Sequence, residues 1–364
     1  MNILFIVEHY YPYIGGAENL WKSLSESLVK ADHTVTVLTT RFDSSLPTSE
    51  TINGVSVHRV NVRSRYLFTA IAVFKAVKLA KRADIIHTAS YNAAIPAFVS
   101  AKIRKIPCVI TFHELWGRLW LSLPFMSKWK LRLFYIFESM IRRLPFHVFV
   151  AVSQFTGQSL MAAGVPKSRV KVIYNGIDYD TFKNVNHSPT DTFTCCFIGR
   201  PGISKGIDVL LEGLSIYAAN SNNKQVHLKM ITSKKPKSIF NQIKSLVRSY
   251  GLGPYISFHH ELNRADLLQE MTTSHCVIIP SYSEGFCYVA AESVACDIPI
   301  ISSARGALTE TVSGKFIEMS ALTGEALADA LVKASQDNYN TKPKKHFHLR
   351  DTVDNYISLY KTLL

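Results

Sequence analysis

Short runs of β-branched and aliphatic residues alternate with helix-length segments along the whole chain, and they do so in two series. The first series places strands near residues 3–7, 35–39, 55–60, 85–88, 109–112, 148–152 and 170–173, with helices between them such as 17–30 and 69–82. The second places strands near 194–198, 227–231, 256–258, 276–280, 298–302 and 315–318, with helices at 208–219 and 322–335. Strands that alternate with helices must return to the sheet by crossover, which makes the sheets parallel and covers both faces. The polar stretch NVNHSPTDT at 184–192 separates the series. The expected architecture is therefore α/β, with two doubly wound, Rossmann-like parallel-sheet domains facing across a cleft: 1–183, a linker at 184–192, and 193–342. A last helix at 343–364 is expected to cross back and complete the first domain. At 364 residues and 47% apolar composition, each half is large enough to bury its own core.

Several classes fall away. No run approaches the roughly 18 to 20 apolar residues of a spanning helix, because charges such as Lys75, Lys78 and Arg104 interrupt the greasy segments. The opening MNILFIVEHYYPYIGG lacks a basic n-region and does not resemble a signal peptide, so a soluble, cytoplasmic protein is the simplest expectation. The six cysteines form no CxxC pair and read as buried thiols; His259-His260 and His346/His348 read as surface residues, with no zinc-type spacing.

The net charge of +14 is lopsided: residues 1–185 hold 23 Lys/Arg against 11 Asp/Glu, and residues 186–364 hold 18 against 16. Within the basic half, residues 118–147 interleave Arg118, Lys128, Lys130, Arg132, Arg142 and Arg143 with Trp120, Phe125, Trp129, Phe134 and Tyr135. Cations beside amphipathic rings suit an anionic membrane surface, where rings sink and charges stay wet. No RNP, KH-type or zinc-finger signature supports nucleic acid as a partner. A solvated helix face is the bland alternative.

Four strand ends carry chemistry. Gly15 and Gly16 open the first helix, letting backbone N–H groups approach a ligand, although a tight turn would use them equally. The stretch 198–206, IGRPGISKG, sets Arg200 and Lys205 around a Gly/Pro/Ser loop, a pair able to neutralise a diphosphate; it is no Walker A loop. The stretch 280–293, PSYSEGFCYVAAES, puts Glu284 in the turn and Glu292 on the following helix, seven residues after Gly285 and so two turns down nearly the same face. A carboxylate there suits vicinal hydroxyls. Finally, His113 ends the strand at 109–112. Asp178-Tyr179-Asp180 reads as a turn, with no metal site.

These pieces, together with VSQFT, YNGID and TGEALADALVKA, resemble the retaining nucleotide-sugar glycosyltransferases of the GT-B fold, specifically glycosyltransferase family 4, over nearly the whole chain. The resemblance implies a metal-independent, hexosyltransferase-type enzyme without a cofactor. It places Arg200 and Lys205 on the diphosphate of a UDP- or GDP-sugar and Glu292 on the ribose. Glu284, with the backbone of Gly285 and Phe286 and with Cys287 beside it, meets the transferred sugar. His113 lies near the reacting centre, and Gly15 and Gly16 near the phosphates or the acceptor. In this family the leaving phosphate takes the acceptor proton, so no protein base is required; Glu284 is a rival nucleophile or base. The chain departs from the family where Cys287 and Asp297 stand in place of common glycines, and where Thr232-Ser233 replaces a glycine-rich turn. The expected acceptor is a lipid-linked saccharide or other glycan of surface-polysaccharide synthesis, with the enzyme peripheral on the inner face of the membrane. The rivals are a nucleotide-sugar epimerase or hydrolase of the same fold and a catalytically idle membrane-associated scaffold.

Overall fold

The computed structural model describes residues 1–13, 15–62, 64–122, 126–202, 204–220 and 225–364. Ile14, Phe125 and Ile203, which fall within stretches singled out above, lie outside them. The chain divides into two compact units, the first made of Met1–Leu121, Lys128–Gly176 and Phe347–Leu364, and the second of Ile177–His346 with Ser122, Met126 and Ser127.

Among the described residues the first unit contains the strands β1 (Asn2–Ile6), β2 (Thr34–Thr40), β3 (Ser49–Ile52), β4 (Val55–Val60), β5 (Ile85–Ala89), β6 (Cys108–Phe112), β7 (Val148–Ala151) and β8 (Val170–Val172). They form one sheet in the order β3-β4-β2-β1-β5-β6-β7-β8, parallel throughout except for the β3/β4 hairpin. The second unit contains β9 (Phe193–Ile198), β10 (Val226–Ile231), β11 (Ile256–His259), β12 (Cys276–Ile279), β13 (Ile300–Ser302), β14 (Gly314–Glu318) and β15 (Asn340–Lys342). Its order is β11-β10-β9-β12-β13-β14-β15, with only β15 antiparallel. Leaving the hairpins aside, both sheets run outward from their first strand in two directions. The strand order therefore reverses beside β1 in one unit and beside β9 in the other, where ligands of such sheets bind.

The strands read as near-continuous apolar runs because helices bury both faces. In the first unit the helices Arg65–Leu79 and Ala94–Arg104 bury Phe68, Ala72, Ala76, Ala97 and Ala101 on one face, with Ile110, Phe112 and Phe149 of the sheet. On the other face Gly16–Lys30 buries Leu20, Trp21, Leu24 and Leu28, spaced for one helical stripe, against Phe5, Val35 and Val57. The second core joins Leu210, Leu214, Leu327 and Leu331 to Cys195, Leu228 and Ile278.

The final helix, Leu349–Lys361, belongs to the first unit, where it buries Val353, Tyr356, Leu359 and Tyr360. Burial of each such side chain stabilises by roughly 1.5–3 kcal/mol. A polar seam makes the docking specific: His87, fully buried, meets the Tyr360 hydroxyl through Nδ1 at 2.5 Å and Thr111 Oγ1 through Nε2 at 2.7 Å. Thr111 Oγ1 meets the Tyr356 hydroxyl at 3.1 Å. Burial holds the His87 pKa well below its ordinary value, so the ring is neutral in this seam.

The unit boundaries differ from those read in the sequence. The first unit ends at Gly176 rather than 183, and the chain re-enters it at Phe347 rather than 343. Residues 184–192 are not a free linker: Ser188 N–H donates to Thr272 O at 2.9 Å, and His187 Nε2–H donates to Ser274 O at 2.8 Å. At the other crossing Lys344 pairs with Asp297, and Lys345 N–H donates to Ser313 Oγ at 3.0 Å, so the basic segment stays with the second unit. Strands β3 and β15, short and polar, carry no apolar run and are absent from the sequence reading. Among the described residues no helix is long and apolar enough to cross a membrane.

Candidate active site

In the second unit two loops meet at the carboxyl ends of β9 and β12, neighbours at the point where strand order reverses. The backbone locks them together: Tyr282 N–H donates to Ser204 O at 2.8 Å. Gly206, at φ +63°, begins the helix Ile207–Ala219 so close to the other loop that a Cβ there would lie 1.9 Å from Pro280 O. Only glycine accepts both that conformation and that approach. Gly306, at φ +64°, abuts the Glu284 backbone, where a Cβ would lie 2.4 Å from Glu284 O, and Ala307 N–H donates to Glu284 O at 2.8 Å.

This frame brings Lys205 and Glu284 together. Lys205 Nζ stands 2.7 Å from Glu284 Oε1, and Ser281 Oγ donates to the same oxygen at 2.6 Å. Glu284 is buried, Phe286 is buried beside it, and Arg200 at the end of β9 is exposed. The loop thus keeps one exposed cation and one half-buried cation already engaged with a carboxylate. The helix after Glu284 runs Tyr288–Ala295, beginning later than the sequence spacing implied. Gly285 lies outside it, so Glu292 sits in the second turn and not two turns below Gly285.

Glu284 and Glu292 are held by different partners. Glu292 Oε1 pairs with Arg264 Nη1 at 2.9 Å, and the Arg264 guanidinium also stacks over Phe182 with 5.1 Å to the ring centroid. Burial raises the Glu292 pKa, and Arg264 opposes that rise. Cys287 is the residue between: burial and the charges of Glu284 and Glu292 push its thiol up, against Lys205, so it remains a neutral thiol. Cys287 precedes the helix at φ +71° and Asp297 follows it at φ +59°. Both departures from the family's glycines therefore fall in the left-handed region that glycine favours.

At the ends of β10 and β11, Thr232 is buried and its Oγ1 has no hydrogen-bond partner among the described residues. Its carbonyl accepts from His260 Nδ1 at 2.6 Å. His259 and His260 are half-buried rather than on the surface, His259 lying 3.6 Å from Glu270. Asp178 caps the turn Tyr179–Phe182, accepting from Asp180 N–H at 3.1 Å, and Asp180 pairs with Lys183 at 2.7 Å. Among the described residues no group of three or more His, Cys, Asp or Glu is placed to hold a metal.

In the first unit Gly15 caps and Gly16 begins the helix Gly16–Lys30, and Asn19 N–H donates to Gly15 O at 2.9 Å. Before it, at the end of β1, Glu8 gathers Arg65 Nε at 2.9 Å, Asn92 Nδ2 at 2.9 Å and His9 Nε2 at 3.2 Å. Burial pushes this carboxyl up, but these donors and the Arg65 charge overcome it and bring its pKa down to about 2. Arg59, fully buried and paired with Glu50, donates to Tyr11 O at 3.1 Å and so braces the same loop.

His113 follows β6, edge-on to Trp21 at 5.6 Å. Desolvation lowers its pKa to about 4, and Nε2 is buried without a hydrogen-bond partner among the described residues. The loop after it is held by a residue that sequence reasoning missed. Glu138, buried in the helix Lys128–Ile141, accepts from Trp116 N–H at 3.0 Å, Gly117 N–H at 2.7 Å and Tyr91 Oη–H at 2.9 Å. An acid alone in a basic amphipathic helix was the available signal.

Residues 14–181 match the family described as Glycosyltransferase Family 4, and residues 178–349 match that described as Glycosyl transferases group 1. An uncharacterized glycosyltransferase of Methanocaldococcus jannaschii is 27% identical, covering 86% of this chain and 83% of its own. The gpi3 component of phosphatidylinositol N-acetylglucosaminyltransferase from Schizosaccharomyces pombe is 22% identical, over 94% and 75%. Among solved structures, sucrose-phosphate synthase from Thermosynechococcus elongatus superposes with a TM-score of 0.79 at 20% identity, covering 100% of this chain and 98% of that one. Anabaena HepE in complex with UDP-glucose superposes at 0.73 and 19%, covering both chains fully. Two α/β units of this topology, each matched in turn by a glycosyltransferase family, make the chain a GT-B glycosyltransferase of the family 4 type.

Proposed function

We propose that the protein transfers a sugar, with retention and without a metal, from a nucleoside diphosphate sugar to a glycan or lipid-linked saccharide at an anionic membrane surface. The observation that carries the reading is the Lys205–Glu284 pair at the strand-order reversal of the second unit, with Arg200 exposed beside it. Breaking a sugar–phosphate bond builds negative charge on the leaving diphosphate, and cations fixed beforehand stabilise it as it develops. Arg200 offers paired donors to that diphosphate and Lys205 a point charge.

Glu284, already engaged with Lys205 and Ser281, positions Lys205 and offsets positive charge developing on the sugar, and is poorly freed for covalent attack. Neutral His113 has an unengaged Nε2 to offer a sugar hydroxyl. Glu292 takes the ribose hydroxyls when Arg264 yields one of its oxygens. Relatives support the substrate classes: HepE is seen with UDP and with UDP-glucose, and the yeast relative is a phosphatidylinositol N-acetylglucosaminyltransferase component. The basic first half favours an acceptor presented by an anionic surface.

The test is a thermal-shift screen of UDP-, GDP- and ADP-sugars with and without magnesium, in the wild type and Arg200→Ala. Stabilisation by one nucleotide family, indifferent to magnesium and lost in the variant, is the expected result. Sugar release without any acceptor would favour a hydrolase instead, and an altered sugar nucleotide an epimerase.

A further inference from the structure

The helix Lys128–Ile141 is amphipathic in the wrong sense for a helix that only serves its own core. Leu131, Glu138, Ser139 and Ile141 are buried, whereas Trp129, Leu133, Ile136 and Met140 are exposed at the spacing of one apolar stripe. A second helix on the same face of the first sheet does likewise. Arg65–Leu79 buries Phe68, Ala72 and Ala76 and exposes Leu67, Ile71 and Phe74, the last at 82%. Water-facing stripes of this size on two helices of one sheet face mark a surface that something covers.

Charge says what covers it. The helix Arg65–Leu79 contains no acidic residue, and the single acid of Lys128–Ile141, Glu138, is buried and already accepting three hydrogen bonds. Around the stripes the exposed charges are Lys78, Lys81, Lys128, Lys130, Arg132 and Arg143. Lys130 lies over the Trp129 ring at 5.5 Å to its centroid, an arrangement that keeps cation and ring together at a headgroup layer.

We propose that the outer faces of Arg65–Leu79 and Lys128–Ile141 together form a docking surface for an anionic lipid bilayer. The inference rests on the membrane reading above and assigns it to these two helices, the first of which sequence reasoning did not single out. Because Glu138 on the inner side of the docked helix holds Trp116 and Gly117, docking sets the loop that follows His113 at a defined position relative to the lipid.

The experiment co-sediments the full chain with vesicles of phosphatidylcholine alone or mixed with phosphatidylglycerol at low salt. The wild type is compared with Ile71→Ser/Phe74→Ser and Leu133→Ser/Ile136→Ser, each checked for unchanged thermal melting. The mixed vesicles are expected to carry down the wild type, the neutral ones far less, and each variant about tenfold less. Tryptophan emission should shift to the blue on vesicle addition, and Trp129→Phe should abolish most of that shift.

Binding to mixed vesicles that neither pair weakens would move docking to another surface, and no vesicle binding would overturn the membrane reading with it. A concentration-dependent dimer abolished by the same variants would assign the face to a second copy of the chain. The thermal shift given by whichever UDP-, GDP- or ADP-sugar stabilises the wild type is expected, without vesicles, to be unchanged in every variant. Its loss in these folded variants would overturn the separation of docking from catalysis. Its absence from a wild type that still binds vesicles would count against the donor reading alone.

Discussion

The Lys205 ammonium lies 2.7 Å from Glu284 Oε1, so the cation at the end of β9 and the carboxylate at the end of β12 act as one unit. Glu284 is buried and Lys205 only partly so; removing either leaves the other in an altered electrostatic setting. Lys205→Ala and Glu284→Ala should therefore be non-additive, with a coupling of about 1–3 kcal/mol in a denaturation cycle of the four proteins. Lys205→Ala should also lower turnover by roughly a hundredfold or more. Additivity within about 0.5 kcal/mol would show that the pair does not couple.

Glu8 supplies a pH dependence with a definite sign. Its folded pKa, about 2, is below the ordinary carboxylate value, so its contribution is present above the unfolded pKa and is lost as pH falls toward about 2. At neutral pH Glu8→Gln should destabilise by about 2–3 kcal/mol. The gap between wild-type and variant stability curves should close as denaturation is measured from about pH 6 down to about pH 3. A gap independent of pH would mean that packing, not charge, accounts for the loss.

Three donors converge on the Glu138 carboxylate, from Tyr91, Trp116 and Gly117. Glutamine keeps the shape but turns an NH2 toward one of them. Glu138→Gln should cost about 1–3 kcal/mol in thermal stability. Because the loop it holds follows His113, kcat should fall while the thermal shift given by donor is retained. Equal losses in both would indicate general unfolding rather than a displaced loop.

Cys287 sits at φ +71°. Cys287→Gly should raise stability by about 1 kcal/mol by relieving that conformation, whereas Cys287→Ala, which removes the thiol but not the Cβ, should give no gain. In the opposite direction Gly206→Ala should destabilise by more than about 2 kcal/mol, since its Cβ would meet Pro280 O. Urea denaturation of the three variants checks both signs.

The strand ends that carry Gly15, His113, Arg200 and Glu284 were legible before the structure because each follows an apolar run that breaks at a turn residue. The polar edge strands β3 and β15 were not, since pairing with a neighbour, and not their own pattern, makes them strands. The crossings at Gly176 and Phe347 were displaced for a similar reason. Hydrogen bonds from Ser188, His187 and Lys345 to distant residues decide which unit a polar segment joins.

The sequence by itself determined that there are two parallel-sheet units and which loops follow the carboxyl ends of their strands, because burial on both faces imposes a local, periodic pattern on every strand and helix. Only the tertiary structure decided that Lys205 meets Glu284, that Arg264 meets Glu292, and that Glu138 reaches Trp116 and Gly117. These partners are far apart in the chain and come together through strand order and helix placement, which are set by packing across the whole sheet and leave no local periodicity to read.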